Sequence, residues 1–498
     1  MEPVSRIRAL AWGMALLFWV TGCLPQSLPI TPTATVTATS IAMSIATATA
    51  TQAAIPPTVT PSPTPLSIFG IEMDAISAGR GLDQVVQTST SWVRRNAVLW
   101  SSVESAEGTY DWSAMAGLES ELQNASSKGI QVILIVRSTP QWARKIAGSG
   151  PTCGPISQGK LPAFGSFMRA LVERYSGHPY NVKYWELWNE PDIDPSYFPG
   201  DNIYGCWGDQ NDAYYGGGYY AEMLKAAYPQ IKAADPQAQV LVGGLVLDCD
   251  PRPGAGCTAT GHDPKPAKFL EGVLRHDGLN DGGNYFDGVS FHAYDFYQGQ
   301  IGQYGIPTWQ SAWNTTGPVL VIKVAYLRNL LTQYGWPDKF LVNTETALLC
   351  GRSGEEPPCQ ADDFANTKAY YLAQSYVTAL AEGLRANVWY SLFGWRASGL
   401  LNPGNQSPLP AFEAYRFSAQ KLGSARFLRQ LQDYPGVMGY EFEREGQRIW
   451  VLWSLDGASH SINLPGVPLA AWDALGNSVS SAASMNVDLN PLYLKWNP

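Results

Sequence analysis

The sequence has little charge, few histidines and no paired-cysteine motif. Only 15% of its 498 residues are charged, the net charge is −9, and runs of Lys or Arg are scarce. Such a chain is a poor partner for nucleic acid or for an anionic membrane surface. The five histidines are scattered and no two cysteines have C-x-x-C spacing, so the sequence predicts neither a metal site nor a cofactor.

The N-terminal segment lacks an apolar stretch long enough to cross a membrane. Arg6 and Arg8 precede the apolar residues Ala9–Val20, whereas a spanning helix needs about 20 apolar residues. A basic start, a short apolar core and small residues at its end predict a secretory signal. Its last residues, Val20-Thr21-Gly22-Cys23, resemble the bacterial lipobox. We therefore predict a lipoprotein signal peptide over residues 1–23 with Cys23 as the lipid attachment site; an ordinary signal peptide is the alternative.

The next segment lacks charge altogether. No charged residue occurs between Arg8 and Glu72, and residues 24–66 are rich in Thr, Ala, Pro and Ser. Such a segment cannot bury enough apolar surface to offset its chain entropy, so we predict a disordered stalk. The expected location is outside the cytoplasm, either secreted or attached to the bacterial cell envelope through the lipid anchor alone.

Six cysteines remain once Cys23 is assigned to the lipid. An even number of cysteines in an oxidising compartment favours disulfides, although six cysteines allow 15 connectivities. We predict the pairs Cys249–Cys257, Cys350–Cys359 and Cys153–Cys206.

From residue 67 onwards, apolar or β-rich runs alternate with amphipathic segments. Several runs are continuous in Val, Ile and Leu, which is typical of parallel strands buried on both faces. The predicted strands are Ser67–Asp74, Trp92–Trp100, Ile130–Val136, Val182–Trp188, Val240–Leu247, Phe286–Tyr294, Phe340–Glu345 and Asn387–Trp395. The clearest predicted helices are Asp111–Ser127, Pro162–Tyr175, Tyr219–Ala234, Pro318–Tyr334, Phe364–Leu384 and Pro410–Gly423.

Eight strands with crossover helices predict an α/β fold, a (β/α)8 TIM barrel over residues 67–430. A doubly wound open sheet is the alternative, but no Gly-rich phosphate turn follows the first strand. Residues 431–498 instead contain short strands separated by turn residues, at Val437–Arg444, Arg448–Ser454, Ser461–Leu464 and Leu492–Lys495. We predict a small antiparallel, sandwich-like β domain there, structural in role, with a carbohydrate-binding module as the alternative.

Two glutamates lie where predicted barrel strands end. The fourth strand is followed by Asn189-Glu190-Pro191, and the seventh ends with Thr344-Glu345. Barrel enzymes carry their active groups at the C-terminal ends of strands, so these two carboxylates should face each other across the mouth. Glycoside hydrolysis needs such a pair, because the acetal oxygen is protonated while the anomeric carbon is stabilised or attacked.

These residues carry a family resemblance that covers residue 67 to about 430. The run Trp185-Glu186-Leu187-Trp188-Asn189-Glu190-Pro191, together with Thr344-Glu345, resembles the glycoside hydrolases of clan A. The run is most similar to family 39, which includes xylosidases, iduronidases and exopolysaccharide glycosidases; families 5, 42 and 30 share much of the pattern. Family 5 enzymes usually carry a histidine at the end of the third strand, whereas this chain has Arg137-Ser138-Thr139-Pro140-Gln141-Trp142, which disfavours family 5.

The resemblance implies a retaining β-glycoside hydrolase with Glu190 as acid/base and Glu345 as nucleophile. Their carboxyl groups should lie about 5–5.5 Å apart, and the negative charge of one should raise the pKa of the other. The implied substrate-binding residues are Arg94, which orients the nucleophile, Asn189 on the sugar 2-hydroxyl, His292 and Tyr294 as the His-x-Tyr of the sixth strand, and Trp395 beneath the sugar. Arg95 is the alternative to Arg94, and Trp142 is a further candidate sugar platform.

We therefore expect a monomeric enzyme that acts on extracellular oligosaccharide or polysaccharide. Two alternatives remain at this stage: a non-catalytic carbohydrate-binding barrel, and a transglycosylase that uses the same two glutamates. The sugar, its linkage, and exo versus endo action are left open.

Overall fold

The computed structural model describes residues 67–146, 150, 154–194, 204–205 and 207–497. The predicted signal peptide, the stalk, Cys23 and the Cys153–Cys206 pair lie outside these ranges. Within them, no helix is both long and apolar enough to cross a membrane.

Eight parallel strands form a closed barrel, which confirms the predicted fold. They are β1 (Phe69–Glu72), β2 (Trp92–Leu99), β3 (Gln131–Arg137), β4 (Tyr184–Asn189), β5 (Gln239–Leu245), β6 (Gly288–Tyr297), β7 (Phe340–Leu349) and β8 (Asn387–Trp389). Each strand pairs with the next in chain order, and the ring closes where β8 pairs with β1.

A main helix follows each barrel strand. These helices are α1 (Leu82–Val86), α2 (Ala116–Ser127), α3 (Leu161–Tyr175), α4 (Gly217–Ala234), α5 (Phe269–Arg275), α6 (Leu320–Gln333), α7 (Asp362–Ala381) and α8 (Pro410–Leu422). The sequence did not indicate α1 or α5, which have only five and seven residues. Helices this short do not repeat the apolar spacing on which such a prediction depends.

The barrel interior is filled by side chains rather than by solvent. One buried cluster inside the ring consists of Trp92, Ile133, Tyr184, Leu241, Val342, Ala386 and Val388. Alternate residues of β2 lead from this cluster towards the mouth: Trp92 and Arg94 are fully buried, and Asn96 lines the cavity at the mouth. Along β2, this alternation places the polar groups on the side of the cluster that faces the mouth.

The eighth strand is shorter than predicted. It ends at Trp389, whereas the sequence indicated a strand up to Trp395. Ser398 closes a turn directly after the strand, because its Oγ donates to the Tyr390 carbonyl oxygen at 2.8 Å and its own carbonyl accepts from Trp389 Nε1 at 2.9 Å. Trp395 therefore lies in a loop and not at a strand end.

An antiparallel domain follows the barrel, as predicted. Its strands are β9 (Arg426–Leu431), β10 (Val437–Arg444), β11 (Gln447–Ser454), β12 (His460–Asn463), β13 (Ala470–Trp472), β14 (Ser478–Val479), β15 (Ser484–Val487) and β16 (Leu492–Trp496). Six of them form one sheet, while β12 and β15 pair separately. Phe442, Val451, Trp453 and Tyr493 belong to the same buried cluster as the barrel helices, so the sheet shares a core with the barrel.

Two of the predicted disulfides are present. Cys249–Cys257 closes a loop after β5, and Cys350–Cys359 closes a loop that begins directly after β7. Both loops therefore follow the C-terminal ends of barrel strands.

Candidate active site

Glu190 and Glu345 meet at the mouth of the barrel. Glu190 directly follows β4, and Glu345 lies within β7. One carboxylate oxygen of each, together with a ring nitrogen of His292, all lie within 4.8 Å of one another. Both glutamates line a cavity of about 750 Å³. In the described part of the chain, these three residues are also the one cluster with the spacing of metal ligands.

Arg94 holds the carboxylate that the sequence assigned as nucleophile. The guanidinium is fully buried; its Nη1 donates to Glu345 Oε1 and, at 2.7 Å, to Glu72 Oε2. Its Nε donates to Glu186 Oε2 and its Nη2 to Asn189 Oδ1, both at 2.7 Å. One cation is therefore shared among three carboxylates, and charge-assisted bonds of this kind fix geometry strongly.

The neighbouring arginine lies on the other face of the strand. Arg95 donates from Nε to Glu121 on α2 at 2.6 Å. Because successive side chains of a strand point to opposite faces, Arg94 and not Arg95 enters the barrel. The one-residue ambiguity of the sequence is thus resolved in favour of Arg94.

Glu190 has the titration expected of a general acid. Burial raises its pKa to about 7, while the positive charges of Arg94 and Lys323 oppose the rise and Glu186 adds to it slightly. The sequence argument attributed the raised pKa to a neighbouring carboxylate; in the structure, desolvation is the main cause. A carboxyl group with a pKa near 7 holds a proton that it can donate at neutral pH.

Glu72 is a site residue that the sequence argument missed. It ends β1 and lines the cavity. Burial raises its pKa to about 8; Arg94 lowers the pKa and Glu345 raises it further. Its only signal in the sequence was a carboxylate near the end of the first predicted strand, two residues before Asp74.

His292 and Tyr294 project from β6 towards the two glutamates. His292 Nδ1 lies 2.9 Å from Glu190 Oε1 and 3.5 Å from Glu345 Oε2. Burial lowers the pKa of His292 to about 4, so the ring is neutral at pH 7. Tyr294 donates its hydroxyl hydrogen to Glu345 Oε2. Glu345 therefore receives one donor on each oxygen, from Arg94 and from Tyr294.

Aromatic rings form part of the cavity wall. Trp395 lines the cavity, is 51% exposed, and its ring centroid lies 6.4 Å from that of Tyr294. Tyr390, the residue directly after β8, also lines the cavity, and its ring centroid lies 6.1 Å from that of Tyr294. The sequence argument did not name this residue. An exposed indole beside the carboxylates can pack against the C–H groups of a sugar.

Trp142 lies away from this wall. Its Nε1 donates to the Glu104 carbonyl oxygen at 3.0 Å, and its ring packs edge-on against Trp100 at 5.5 Å. It is partly buried in these contacts, and its role as a sugar platform stays a prediction.

Lys323 is a second site residue that the sequence did not reveal. It lies on α6 and lines the cavity, and its Nζ donates to the carbonyl oxygens of Val246 and His292, both at 2.8 Å. Burial lowers its pKa to about 8, against the opposing effect of nearby carboxylates such as Asp192. The lysine thus connects the residue after β5 to the middle of β6, at the wall of the cavity that Glu190 also lines.

The family of the chain follows from a comparison with protein-family models. The model described as cellulase (glycosyl hydrolase family 5) matches residues 60–315, half of the chain. The chain belongs to this family. The matched range includes Glu190 and ends before Glu345. Membership makes the chain a glycoside hydrolase of clan A. The sequence argument disfavoured family 5 because no histidine ends β3, but the match to the family 5 model shows that this histidine is not required for membership.

Solved structures support the same fold. A family 39 glycoside hydrolase from Bacteroides cellulosilyticus is 18% identical with a TM-score of 0.61, covering 86% of this chain and 80% of that one. A family 30 subfamily 8 xylanase from Clostridium acetobutylicum is 13% identical, with a TM-score of 0.56 and coverage of 86% and 96%. A monomeric β-xylosidase from Caulobacter crescentus is 15% identical, with a TM-score of 0.54 and coverage of 87% and 97%. The predicted similarity to family 39 is thereby supported at the level of the fold. No curated protein matches the chain.

Proposed function

We propose that this glycoside hydrolase is a retaining β-glycosidase that cleaves oligosaccharide or polysaccharide outside the cytoplasm by double displacement. The observation that carries the proposal is the separation of the two carboxylates, whose facing oxygens lie within 4.8 Å. Retaining enzymes keep these groups about 5–5.5 Å apart, whereas inverting enzymes need about 6.5–9.5 Å for a water molecule. The gap between Glu190 and Glu345 therefore suits direct attack by a carboxylate.

In the first step, Glu345 attacks the anomeric carbon as the bond to the leaving oxygen breaks. Arg94 and Tyr294 each donate to one oxygen of Glu345 and fix the orientation of its carboxylate. Glu190, with its pKa of about 7, gives its proton to the leaving oxygen. The product of this step is a glycosyl ester on Glu345.

In the second step, Glu190 acts as a base. It removes a proton from water, the water oxygen bonds to the anomeric carbon, and the ester bond to Glu345 breaks. The proton returns to Glu190 and restores the starting state. Two inversions at one carbon leave the β configuration unchanged.

Asn189 and Trp395 bind the sugar in this scheme. Arg94 Nη2 donates to the side-chain oxygen Oδ1 of Asn189 at 2.7 Å, so we assign the side-chain NH₂ of Asn189 to the sugar 2-hydroxyl. A hydrogen bond there strengthens as positive charge develops on the ring. The indole of Trp395, half exposed in the cavity, would support the sugar face.

The proposed location rests on the sequence and on the disulfides. Cys249–Cys257 and Cys350–Cys359 suit an oxidising compartment. We propose that residues 1–23 direct export, that Cys23 carries the lipid, and that residues 24–66 separate the catalytic domain from the envelope. Domain boundaries at 67–430 and 431–498 and a monomeric state belong to the same proposal.

Matched Glu→Gln variants test the chemistry. E345Q and E190Q should lower kcat by about a thousandfold or more on aryl β-glycosides, because the nucleophile or the proton donor is lost. E173Q is the control, since Glu173 lies on the exposed surface of α3 beside Arg169. Xyloside, glucoside, galactoside and mannoside should be tried beside polymers. Undiminished turnover by E345Q would overturn the proposal, and sugar binding without turnover by the wild type would indicate a non-catalytic barrel.

A further inference from the structure

The cavity wall carries one guanidinium that the proposed reaction does not use. Arg396 lines the cavity, and its Nε is buried without a hydrogen-bond partner in the described part of the chain. Glu356 is the carboxylate whose charge acts on it, but Glu356 forms no ion pair with it and instead accepts three backbone N–H groups from residues 352–354 at 2.6–3.0 Å. The Nε–H group of Arg396 is therefore available to donate to a ligand.

The loop that carries Arg396 is held in place from two sides. The Arg396 carbonyl oxygen accepts from Cys350 N at 3.1 Å, directly after β7. Lys368 on α7 donates from Nζ to the carbonyl oxygens of Ala397 and Gly399 at 2.8 and 2.7 Å. Arg396 and Ala397 both have left-handed φ angles, +50° and +62°. Adjacent non-glycine residues adopt this conformation only where their surroundings impose it, so the position of Arg396 is built into the site.

Two aromatic rings, those of Trp395 and Tyr294, lie between Arg396 and Glu345. Its guanidinium carbon is 5.3 Å from the centroid of Trp395 and 5.1 Å from that of Phe296. The Trp395 ring in turn packs at 6.4 Å against Tyr294, whose hydroxyl donates to Glu345. A sugar ring that packs on the exposed indole would thus meet the guanidinium with its substituents.

The other charged groups of the cavity are already engaged or are acids. The ammonium group of Lys323 already donates to two backbone carbonyl oxygens. The remaining ionisable acids that line the cavity are Glu72, Glu190, Asp248 and Glu345. Neutral sugars are bound by hydroxyl-directed hydrogen bonds and do not require a spare cation. The planar fork of an arginine matches a carboxylate, which it binds through two parallel hydrogen bonds.

We infer that Trp395 and Arg396 form a subsite for an acidic sugar, a uronic acid residue of the glycan whose ring packs on the indole and whose carboxylate pairs with the guanidinium. This inference rests on the proposed function and adds a substrate class to it. The charge of the cavity is compatible with an anionic ligand, because burial raises the pKa of Glu72 to about 8 and of Glu190 to about 7, which reduces the negative charge that these two groups carry near neutral pH.

Paired substrates test the inference. Polysaccharides that contain glucuronate or galacturonate are compared with the same polymers after carboxyl reduction, which converts each uronic acid to its neutral sugar and keeps every linkage. The wild type should cleave the acidic form with a kcat/KM at least about tenfold higher. In R396Q, the ratio of kcat/KM on the acidic polymer to kcat/KM on the reduced polymer should fall to about one. In R396K the ratio should lie between this value and that of the wild type, since lysine keeps the positive charge but cannot form two parallel hydrogen bonds with a carboxylate. R426Q is the control, because Arg426 is 71% exposed on β9, and its ratio should equal that of the wild type.

The outcomes separate this inference from the function on which it rests. Equal cleavage of acidic and reduced polymers by the wild type, or an unchanged ratio in R396Q, overturns the acidic subsite and leaves the glycosidase proposal standing. Loss of cleavage on every polymer in E345Q, together with a ratio lost in R396Q, supports both. If the wild type cleaves nothing, titration calorimetry with D-glucuronate and D-glucose decides: glucuronate binding that R396Q abolishes supports the subsite, and equal binding of the two sugars overturns it.

Discussion

Arg94 is the residue on which the electrostatics of the site depend. It is fully buried and is the shared partner of Glu72, Glu186 and Glu345. Removing one partner of a buried ion pair typically costs about 3–5 kcal/mol, because the remaining charge is left without compensation. The same loss at a partly exposed pair costs far less.

We therefore predict that R94M lowers the free energy of unfolding by about 3–5 kcal/mol and abolishes turnover. R169M is the control, since Arg169 pairs with Glu173 on the surface of α3, where the two side chains are 52% and 51% exposed. Denaturant unfolding of both variants provides the comparison. Equal destabilisation by the two substitutions would show that the buried network does not carry the stability assigned to it.

The pKa of Glu190 predicts the pH dependence of the reaction. Because the first step needs the protonated acid, kcat/KM should fall as the pH rises through about 7. The charge of Lys323 lowers this pKa, so K323M should move the alkaline limb to higher pH. If K323M lowers kcat/KM by the same factor at every pH and the pH of the alkaline fall is unchanged, Lys323 acts only on the structure.

At the residue scale, motif and position together located the two carboxylates, but not their full surroundings. Asn189-Glu190-Pro191 and Thr344-Glu345 are local strings at strand ends, so the sequence could identify them. Glu72 and Lys323 have no such string, because their importance arises only when β1 and α6 are brought to the same cavity. Contacts that tertiary packing creates between distant residues cannot be predicted from a local sequence motif.

At the scale of elements, the loop after β8 shapes the sugar site. The prediction placed Trp395 at a strand end, whereas hydrogen bonds of Ser398 turn the chain after Trp389. Strand positions are readable from continuous apolar runs, and all eight barrel strands were found in this way. The point where a run leaves the sheet depends on polar contacts further along the chain, which periodicity does not encode.

Lys368 stabilises this loop and gives it a pH dependence. Burial lowers its pKa from the usual 10.5 to about 7. Between these values the unfolded chain binds a proton that the folded protein does not, so the contribution to the free energy of unfolding rises with pH across that window. K368M should lose this slope and raise KM more than it lowers kcat, because Trp395 and Arg396 lose their support. Urea unfolding at several pH values from 6 to 10 tests it; a difference from wild type that is constant with pH would contradict it.

At the scale of the whole molecule, the barrel and the C-terminal sheet share one core. Trp453 is 2% exposed and Phe442 is fully buried, and both belong to the cluster that contains the barrel helices. Ser418 on α8 also lies 2.8 Å from the hydroxyl of Tyr493, oxygen to oxygen. The sequence correctly indicated a change to short antiparallel strands, but apolar patterns alone do not show which two surfaces share a core.

The shared core predicts cooperative unfolding. W453A should lower the free energy of unfolding by about 3–5 kcal/mol, and it should shift the loss of activity and the loss of β structure by the same amount. V467A is the control, since Val467 is 62% exposed on the same domain. Separate transitions for activity and for circular dichroism would show that the sheet unfolds independently of the barrel.

The account depends most directly on Glu190 and Glu345 acting in turn on one anomeric carbon. Proton NMR of the first-formed product, recorded before mutarotation, measures the configuration at that carbon. We predict that a β-glycoside releases the β-anomer first, with the α-anomer appearing only as the sugar equilibrates. Initial release of the α-anomer would contradict the double-displacement mechanism.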